Sequence, residues 1–178
     1  MTVKPHFSQM SECITKWLDG REGLTFVEIG VWKGANASNC LGRWGHHIKE
    51  WHLIDPYNYE DYLEDVFTND RSADKQEAQS ALAPHADKCV WVEDYSYNVV
   101  DNYQDNSIDF LYVDGNHSYE AVLQDITLYY PKVKSGGLII FDDYSEPGVE
   151  KAALEFCSSI GKQITETSSA PGQAFIVK

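Results

Sequence analysis

The chain has 178 residues, 43% of them hydrophobic and 13% aromatic, enough for one globular domain with its own core; this excludes a disordered chain or one that needs disulfide staples. A formal net charge of −14 excludes the clustered lysines and arginines on which binding to nucleic acid or an anionic membrane depends. Such a surplus serves solubility, and it tolerates metal cations and neutral or cationic small molecules as ligands.

The apolar pattern predicts a first helix over Ser8–Leu18, with Met10, Ile14, Trp17 and Leu18 on one face and Gly20 as the stop. A strand over Leu24–Ile29 leads through a glycine-containing turn into a helix over Ala35–Trp44, and a second strand over 51–54 ends at Asp55-Pro56. Residues 57–70 are rich in Tyr, Asp, Glu and Asn without a period and read as a long loop, the kind that is often functional in a compact domain. A helix over 72–86, a strand over Cys89–Val92 and a short helix over 97–103 follow. A strand over Ile108–Val113 and a helix over 118–130 come next; Tyr119, Val122, Leu123, Ile126 and Tyr130 line one face of that helix and Pro131 closes it. The turn at 134–137 feeds a strand over 138–141, then come a helix over 149–160 and two short strands, 163–166 and Ala174–Val177, with Pro171-Gly172 between them. This alternation predicts a single α/β domain over 1–178, a doubly wound sheet of seven strands, mostly parallel, with an antiparallel last strand.

Cys13, Cys40, Cys89 and Cys157 form no CxxC pair, which fits a reducing compartment. Residues 1–20 lack a seven-residue apolar core and no segment is long enough to span a bilayer, so a soluble cytoplasmic protein is expected.

Two features carry chemistry. Asp114 closes one apolar strand, and Asp142 and Asp143 close another; three carboxylates gathered at strand ends repel one another and imply a missing positive partner. The second feature is Glu28-x-Gly30-x-x-x-Gly34 at the first strand–helix junction, where glycines permit a close approach to the backbone. It is neither the GxGxxG dinucleotide fingerprint nor a P-loop, and Glu28 suits a cationic or amino-bearing ligand rather than a pyrophosphate. Asp55 ends the second strand, where doubly wound folds grip an adenosine ribose. In this order the two elements favour an adenosine-bearing ligand with a positive group.

Together with Glu93-Asp94-Tyr95-Ser96 after the third strand and Asp114 after the fourth, these motifs resemble the class I S-adenosylmethionine-dependent methyltransferases. More narrowly, Val113-Asp114-Gly115-Asn116-His117-Ser118-Tyr119-Glu120 and Gly136-Gly137-Leu138-Ile139-Ile140-Phe141-Asp142-Asp143-Tyr144 resemble the small metal-dependent O-methyltransferases related to macrocin O-methyltransferase, with catechol O-methyltransferase more distant. The resemblance covers residues 24–144. It implies that Glu28, Gly30, Trp32, Gly34 and Asn36 line the methionine side of the cofactor, that Asp55 holds its ribose, and that Tyr95 and Ser96 flank the adenine. Trp32 also suits a core position, and a glycine is common in that family where Asp94 or a neighbour stands here.

The resemblance further implies that Asp114, Asp142 and Asp143 hold a divalent cation, with Asp114 bordering the cofactor as well. Neighbouring parallel strands about 4.8 Å apart open on the same edge, and oxygen-only ligands suit Mg²⁺, Mn²⁺ or Ca²⁺ rather than zinc. His117, three residues after Asp114, stands where catechol O-methyltransferase has its lysine; it is a candidate base for the acceptor's proton, with Asp114 the alternative, and it equally suits the start of a helix. The expected activity is Mg²⁺-dependent O-methylation of a sugar, polyol or phenol hydroxyl. Tyr57, Tyr59, Tyr62 and Phe67 of the long loop are candidate acceptor walls or packing residues. The pocket is either open or completed by a second subunit in a homodimer. Two rival readings are a non-catalytic S-adenosylmethionine-binding protein and an enzyme like those named cephalosporin hydroxylases; the latter would need redox iron, and the pattern lacks its pair of histidine ligands.

Overall fold

The computed structural model describes residues 8–58, 71–166 and 172–178, with side chains from residue 12 onward. Tyr59, Tyr62 and Phe67 lie outside the described residues. Seven strands form one sheet in the order β3-β2-β1-β4-β5-β7-β6. They are β1 (Leu24–Ile29), β2 (Ile48–Ile54), β3 (Cys89–Val92), β4 (Ile108–Val113), β5 (Val133–Phe141), β6 (Thr165–Glu166) and β7 (Ala174–Val177). The first five are parallel, and β7 pairs antiparallel with both β5 and β6. Among the described residues six α-helices accompany them: α1 (Ser8–Leu18), α2 (Ala35–Trp44), α3 (Ser72–Leu82), α4 (Ser96–Val99), α5 (Tyr119–Tyr129) and α6 (Pro147–Ser159).

The two-residue period of the strands divides their apolar side chains between two cores. Phe26, Trp51, Phe110, Leu138 and Ile140 point to the face covered by α1, α2 and α3. Phe26 and Phe110 stack there with ring centroids 4.3 Å apart. Val27, Ile29, Leu111, Val113, Ile139 and Phe141 point to the opposite face, against Val122, Ile126 and Tyr129 of α5 and Ala152, Ala153 and Phe156 of α6. Every residue of β4, the middle strand, is buried. A strand covered on both faces reads as a continuous apolar run, as 108–113 does apart from Asp109. Asp109 is held by Lys134 Nζ at 2.8 Å and by the Thr25 N–H at 3.0 Å.

Most element centres lie where the apolar pattern predicts them, and the differences are at the ends. Helices predicted over 72–86, 97–103 and 118–130 finish in short 3₁₀ turns, Ala83–His85, Val100–Asn102 and Tyr130–Lys132. Pro84 and Pro131 begin two of those turns, where the missing N–H and ring bulk oppose continued α-helix. The strand expected over 51–54 starts at Ile48, and the one expected over 138–141 starts at Val133. The second extension passes through Gly136 at φ 78°, whose N–H bonds to Lys178 O at 3.3 Å, so glycines that read as a turn instead serve an irregular strand.

The chain reverses its direction of winding between β1 and β4, and a crevice opens there at the carboxyl edge of the sheet. Four backbone bonds align that edge. The N–H of Asp55 donates to Val92 O, that of Gly30 to Ile54 O, that of Asp114 to Ile29 O and that of Asp142 to Val113 O, at 2.9–3.2 Å. Each residue that leaves a strand is thus tied to the last residue of its neighbour, so the post-strand residues of β1, β2, β4 and β5 face one space.

Candidate active site

That space is a cavity of about 650 Å³. It is bordered by Glu28, Gly30, Trp32, Asn36, Asp55, Tyr95, Ser96, Asp114, His117, Asp142 and Asp143, all of them expected from the sequence. Gly34 is not part of its wall. A Cβ at Gly34 would lie 3.2 Å from Ala78 of α3, and one at Gly30 would lie 2.0 Å from Asp114 O. Both glycines have positive φ, 72° and 87°. Close packing of protein against protein accounts for both residues, where the sequence suggested room for a ligand.

Glu28, the penultimate residue of β1, is 1% exposed. Its Oε1 accepts from Asn36 Nδ2 at 3.0 Å, whereas among the described residues neither Oε2 nor the nearby buried Trp51 Nε1 makes a hydrogen bond. Burial drives the Glu28 pKa well above the usual carboxylate range, with Asp114 and Asp142 adding to the rise and Asn36 and Trp51 opposing it. A buried acid with one unpaired oxygen is costly unless a ligand supplies the donor.

Asp55 is already engaged. Its Oδ2 accepts from the Val31 and Trp32 N–H groups at 2.9 and 2.8 Å, and its Oδ1 accepts from the Tyr57 N–H at 2.9 Å. Trp32 and Tyr57 both carry positive φ, 47° and 49°. The carboxylate therefore fixes two non-glycine residues in left-handed backbone, one in each of the loops that leave β1 and β2. Trp32 is presented at the cavity 55% exposed, so it is not a core aromatic, whereas Tyr57 is buried. Lys33 Nζ lies 5.5 Å from the Trp32 ring centroid.

On the β3 side, Asp94 Oδ1 accepts from the Tyr95 N–H at 2.7 Å, and the Tyr95 and Tyr97 rings stack with centroids 5.3 Å apart. Ser96 is buried at the start of α4. Its hydroxyl donates to Asp125 Oδ1, and its carbonyl accepts from Tyr129 Oη at 2.9 Å.

The acids at the ends of β4 and β5 form a different group from the one predicted. Asp114, His117 and Asp143 each offer one ligand atom, all within 4.8 Å of one another. His117 Nε2 is 3.7 Å from Asp114 Oδ1 and 3.5 Å from Asp143 Oδ2. Asp142 stands outside this group; its Oδ1 accepts from Gln173 Nε2 at 2.7 Å, and the same nitrogen donates to Tyr112 Oη at 2.6 Å. Burial raises Asp114 to about 7, with the Asp142 and Asp143 charges adding to the effect and His117 opposing it. The Asp114 carboxylate in turn raises His117 against its own burial, with Asp143 assisting. Two carboxylates and an imidazole converging at this distance are a donor set that fits a divalent cation.

Sequence reasoning missed Gln173, Tyr112 and Asp125, which also border the cavity. Asp125 carried a usable signal, because it lies between Val122 and Ile126 on the apolar stripe of α5, where an acid is out of place. Gln173 carried none, since only the folding of the final hairpin brings it beside residues 31 and 61 positions earlier.

A family model described as a methyltransferase domain matches residues 27–144. An uncharacterized protein of Acanthamoeba polyphaga mimivirus is 32% identical over 131 residues, which cover 71% of this chain and 54% of that protein. The chain thus spans about half the length of the curated relative it matches. Three solved structures share the fold. A putative caffeoyl-CoA O-methyltransferase from Staphylococcus aureus has a TM-score of 0.71 at 14% identity, over 100% of this chain and 85% of that one. The O-methyltransferase NovP has a TM-score of 0.71 at 19% identity, over 95% and 79%. A TDP-rhamnose 3'-O-methyltransferase of calicheamicin biosynthesis has a TM-score of 0.64 at 15% identity, over 94% and 76%.

Proposed function

Because the chain belongs to the methyltransferase domain family, we propose that it transfers the methyl group of S-adenosylmethionine to a hydroxyl oxygen of a small molecule, with a divalent cation beside the acceptor. One observation carries this reading: the unpaired, buried Glu28 Oε2 and the Asp114, His117, Asp143 group border the same cavity. Glu28 receives the ammonium of the methionine moiety, which supplies the donor its second oxygen lacks. Tyr95 and Ser96 bound the adenine. Asp55 acts first by holding the loop that bears Val31 and Trp32, and any bond it makes to the ribose is added to that task.

Asp114, His117 and Asp143 would hold a cation, and Asp142, whose Oδ1 accepts from Gln173, borders the same cavity. The cation, when bound, lowers the pKa of the acceptor hydroxyl and fixes its direction. In the transfer the S–CH₃ bond breaks as the O–CH₃ bond forms, and the hydroxyl proton goes to the Asp114 oxygen that is not on the cation, or to His117 where it acts as base instead of ligand. Mg²⁺ suits the carboxylates, and the imidazole widens the choice toward Mn²⁺. The exposed Trp32 and Tyr97 rings at the cavity offer flat apolar surfaces suited to a sugar or phenol acceptor.

A redox iron site of two histidines and one carboxylate has the inverse composition of the group among the described residues, which disfavours an oxygenase. Calorimetric titration with S-adenosylmethionine, with and without Mg²⁺ or Mn²⁺, tests the reading. Saturable binding is expected in both conditions, and no binding in either would overturn it.

A further inference from the structure

Gly148 stands in the first turn of α6, where glycine is a poorer helix former than alanine, so its presence calls for a packing reason. The reason lies in the loop after β4. A Cβ built on Gly148 would stand 2.3 Å from His117 O, 2.9 Å from the Tyr119 nitrogen and 3.2 Å from Ser118 C. All three are backbone atoms, which cannot swing aside as the end of a side chain can, and a carbon so placed needs at least 3.0 Å. The first turn of α6 thus lies directly on the main chain of residues 117–119. The same face of the helix grips that segment again further along. Lys151 Nζ lies 4.0 Å from the centroid of the Tyr119 ring, and Tyr119 Oη donates to Glu155 Oε2 at 2.8 Å.

His117 and Asp143 belong to different loops, and local bonds shape each one. On the His117 side the Ser118 N–H donates to Asn116 Oδ1 at 2.8 Å, and the Ser118 hydroxyl caps α5. On the Asp143 side the Glu146 N–H donates to Asp143 O at 2.8 Å and the Tyr144 N–H to Gly172 O at 3.0 Å. Asp143 itself stands at φ 46°. Beyond the pairing of β4 with β5, the contact of Gly148 with His117 sets one loop against the other, because α6 continues directly from the loop that carries Asp143. Across that junction His117 Nε2 comes to 3.5 Å from Asp143 Oδ2.

Resting on the cation reading of the proposed function, we infer that Gly148 is a positioning residue: its missing side chain lets α6 press His117 toward Asp143, and the cation group closes only with the helix at that depth. Gly148 touches neither cation nor substrate. It acts through His117, as the outer contacts of a metal site act through the ligands they orient, and a ligand displaced by more than about 0.2 Å is already out of place. The residues proposed to receive the cofactor's methionine and ribose, Glu28, Asn36 and Asp55, are carried by β1, α2 and the end of β2, which this contact does not involve. A side chain at position 148 should therefore separate the two ligands, weakening the cation and sparing the cofactor.

The test is calorimetric titration of the full chain with MnCl₂ at constant ionic strength and, separately, with S-adenosylhomocysteine, in wild type, Gly148→Ala, His117→Ala and the double variant. Gly148→Ala should bind Mn²⁺ about tenfold or more weakly than wild type and S-adenosylhomocysteine nearly as well. In the His117→Ala background the same change should cost no further Mn²⁺ affinity, because the residue through which it acts is gone. Wild-type Mn²⁺ affinity in Gly148→Ala, a full additional loss in the double variant, or a parallel loss of S-adenosylhomocysteine would overturn the proposal. Absence of Mn²⁺ binding to wild type would overturn it together with the cation reading. Failure of wild type to bind S-adenosylhomocysteine would overturn the methyltransferase reading alone, since the Mn²⁺ comparison is made without it. Hydrogen exchange on wild type reads the coupling without any substitution. Mn²⁺ should slow exchange at Gly148 and Val149 together with Ser118 and Tyr119, although α6 supplies no donor to the ion, and unchanged exchange at Gly148 and Val149 would overturn the proposal.

Discussion

Glu28 shows how a single residue can be destabilising in the free protein and still be explicable. Among the described residues its Oε2 accepts no hydrogen bond, and its pKa is raised chiefly by burial. A carboxyl whose folded pKa lies above its unfolded value, ordinarily about 4.3 for Glu, contributes stability below that value and loses the contribution as pH rises through the folded pKa. Glu28→Gln keeps an oxygen for Asn36 and removes the titration. The unliganded variant should therefore match wild type near pH 4 and become progressively more stable than wild type above it, by about 1–3 kcal/mol once the loss is complete. Calorimetric melting between pH 4 and 8 reads this directly, and an offset that does not vary with pH would count against the burial account. The same variant should bind S-adenosylmethionine at least about tenfold more weakly, since the ammonium loses its counter-charge.

At the scale of elements, the loops after β1 and β2 are held by one carboxylate rather than by their own propensities. Asp55→Asn would turn an amide donor toward two of the three N–H groups that Asp55 now accepts from, or leave the Tyr57 N–H opposed if the amide is reversed. A loss of about 2–4 kcal/mol in urea denaturation is expected, together with poorer cofactor binding, because the left-handed Trp32 and Tyr57 lose their restraint. Wild-type stability in this variant would show that the bonds are incidental. The strands and helices themselves were legible in the sequence wherever one period ran through them, as in Leu24–Ile29, Ile108–Val113 and Ala174–Val177. The ends were less so, because Pro84 and Pro131 convert the last turns to 3₁₀ and Gly136-Gly137 serves a strand rather than a turn. The site residues at strand ends were equally legible, since a parallel sheet gathers them on one edge. The Gln173 contact with Asp142 and the non-ligand reasons for Gly30 and Gly34 were not, because each depends on a distant element arriving at a specific distance.

The whole molecule carries a formal charge of −14, and its cavity concentrates several of those charges where water is scarce. On the proposed reading a divalent cation would act on it in two ways: by general screening of the surface and by specific binding at Asp114, His117 and Asp143. The two separate cleanly. Screening depends on ionic strength and is reproduced by NaCl, whereas specific binding stabilises by RT ln(1 + [L]/Kd) and continues to grow with the logarithm of cation concentration at constant ionic strength. At matched ionic strength, Mn²⁺ or Mg²⁺ should raise the Tm of wild type above the NaCl control, by about 2–3 kcal/mol in stability when the cation is at a hundred times its Kd. Asp114→Asn and Asp143→Asn should abolish the excess. Asp142→Asn should reduce it less, because Asp142 stands outside the group whose ligand atoms lie within 4.8 Å of one another. An equal rise in NaCl, or an undiminished excess in Asp143→Asn, would show that the acidic edge draws cations only as a diffuse atmosphere. A full excess in Asp142→Asn would leave the ion on Asp114, His117 and Asp143 alone, with Asp142 serving instead to hold Gln173 and Tyr112 in the wall.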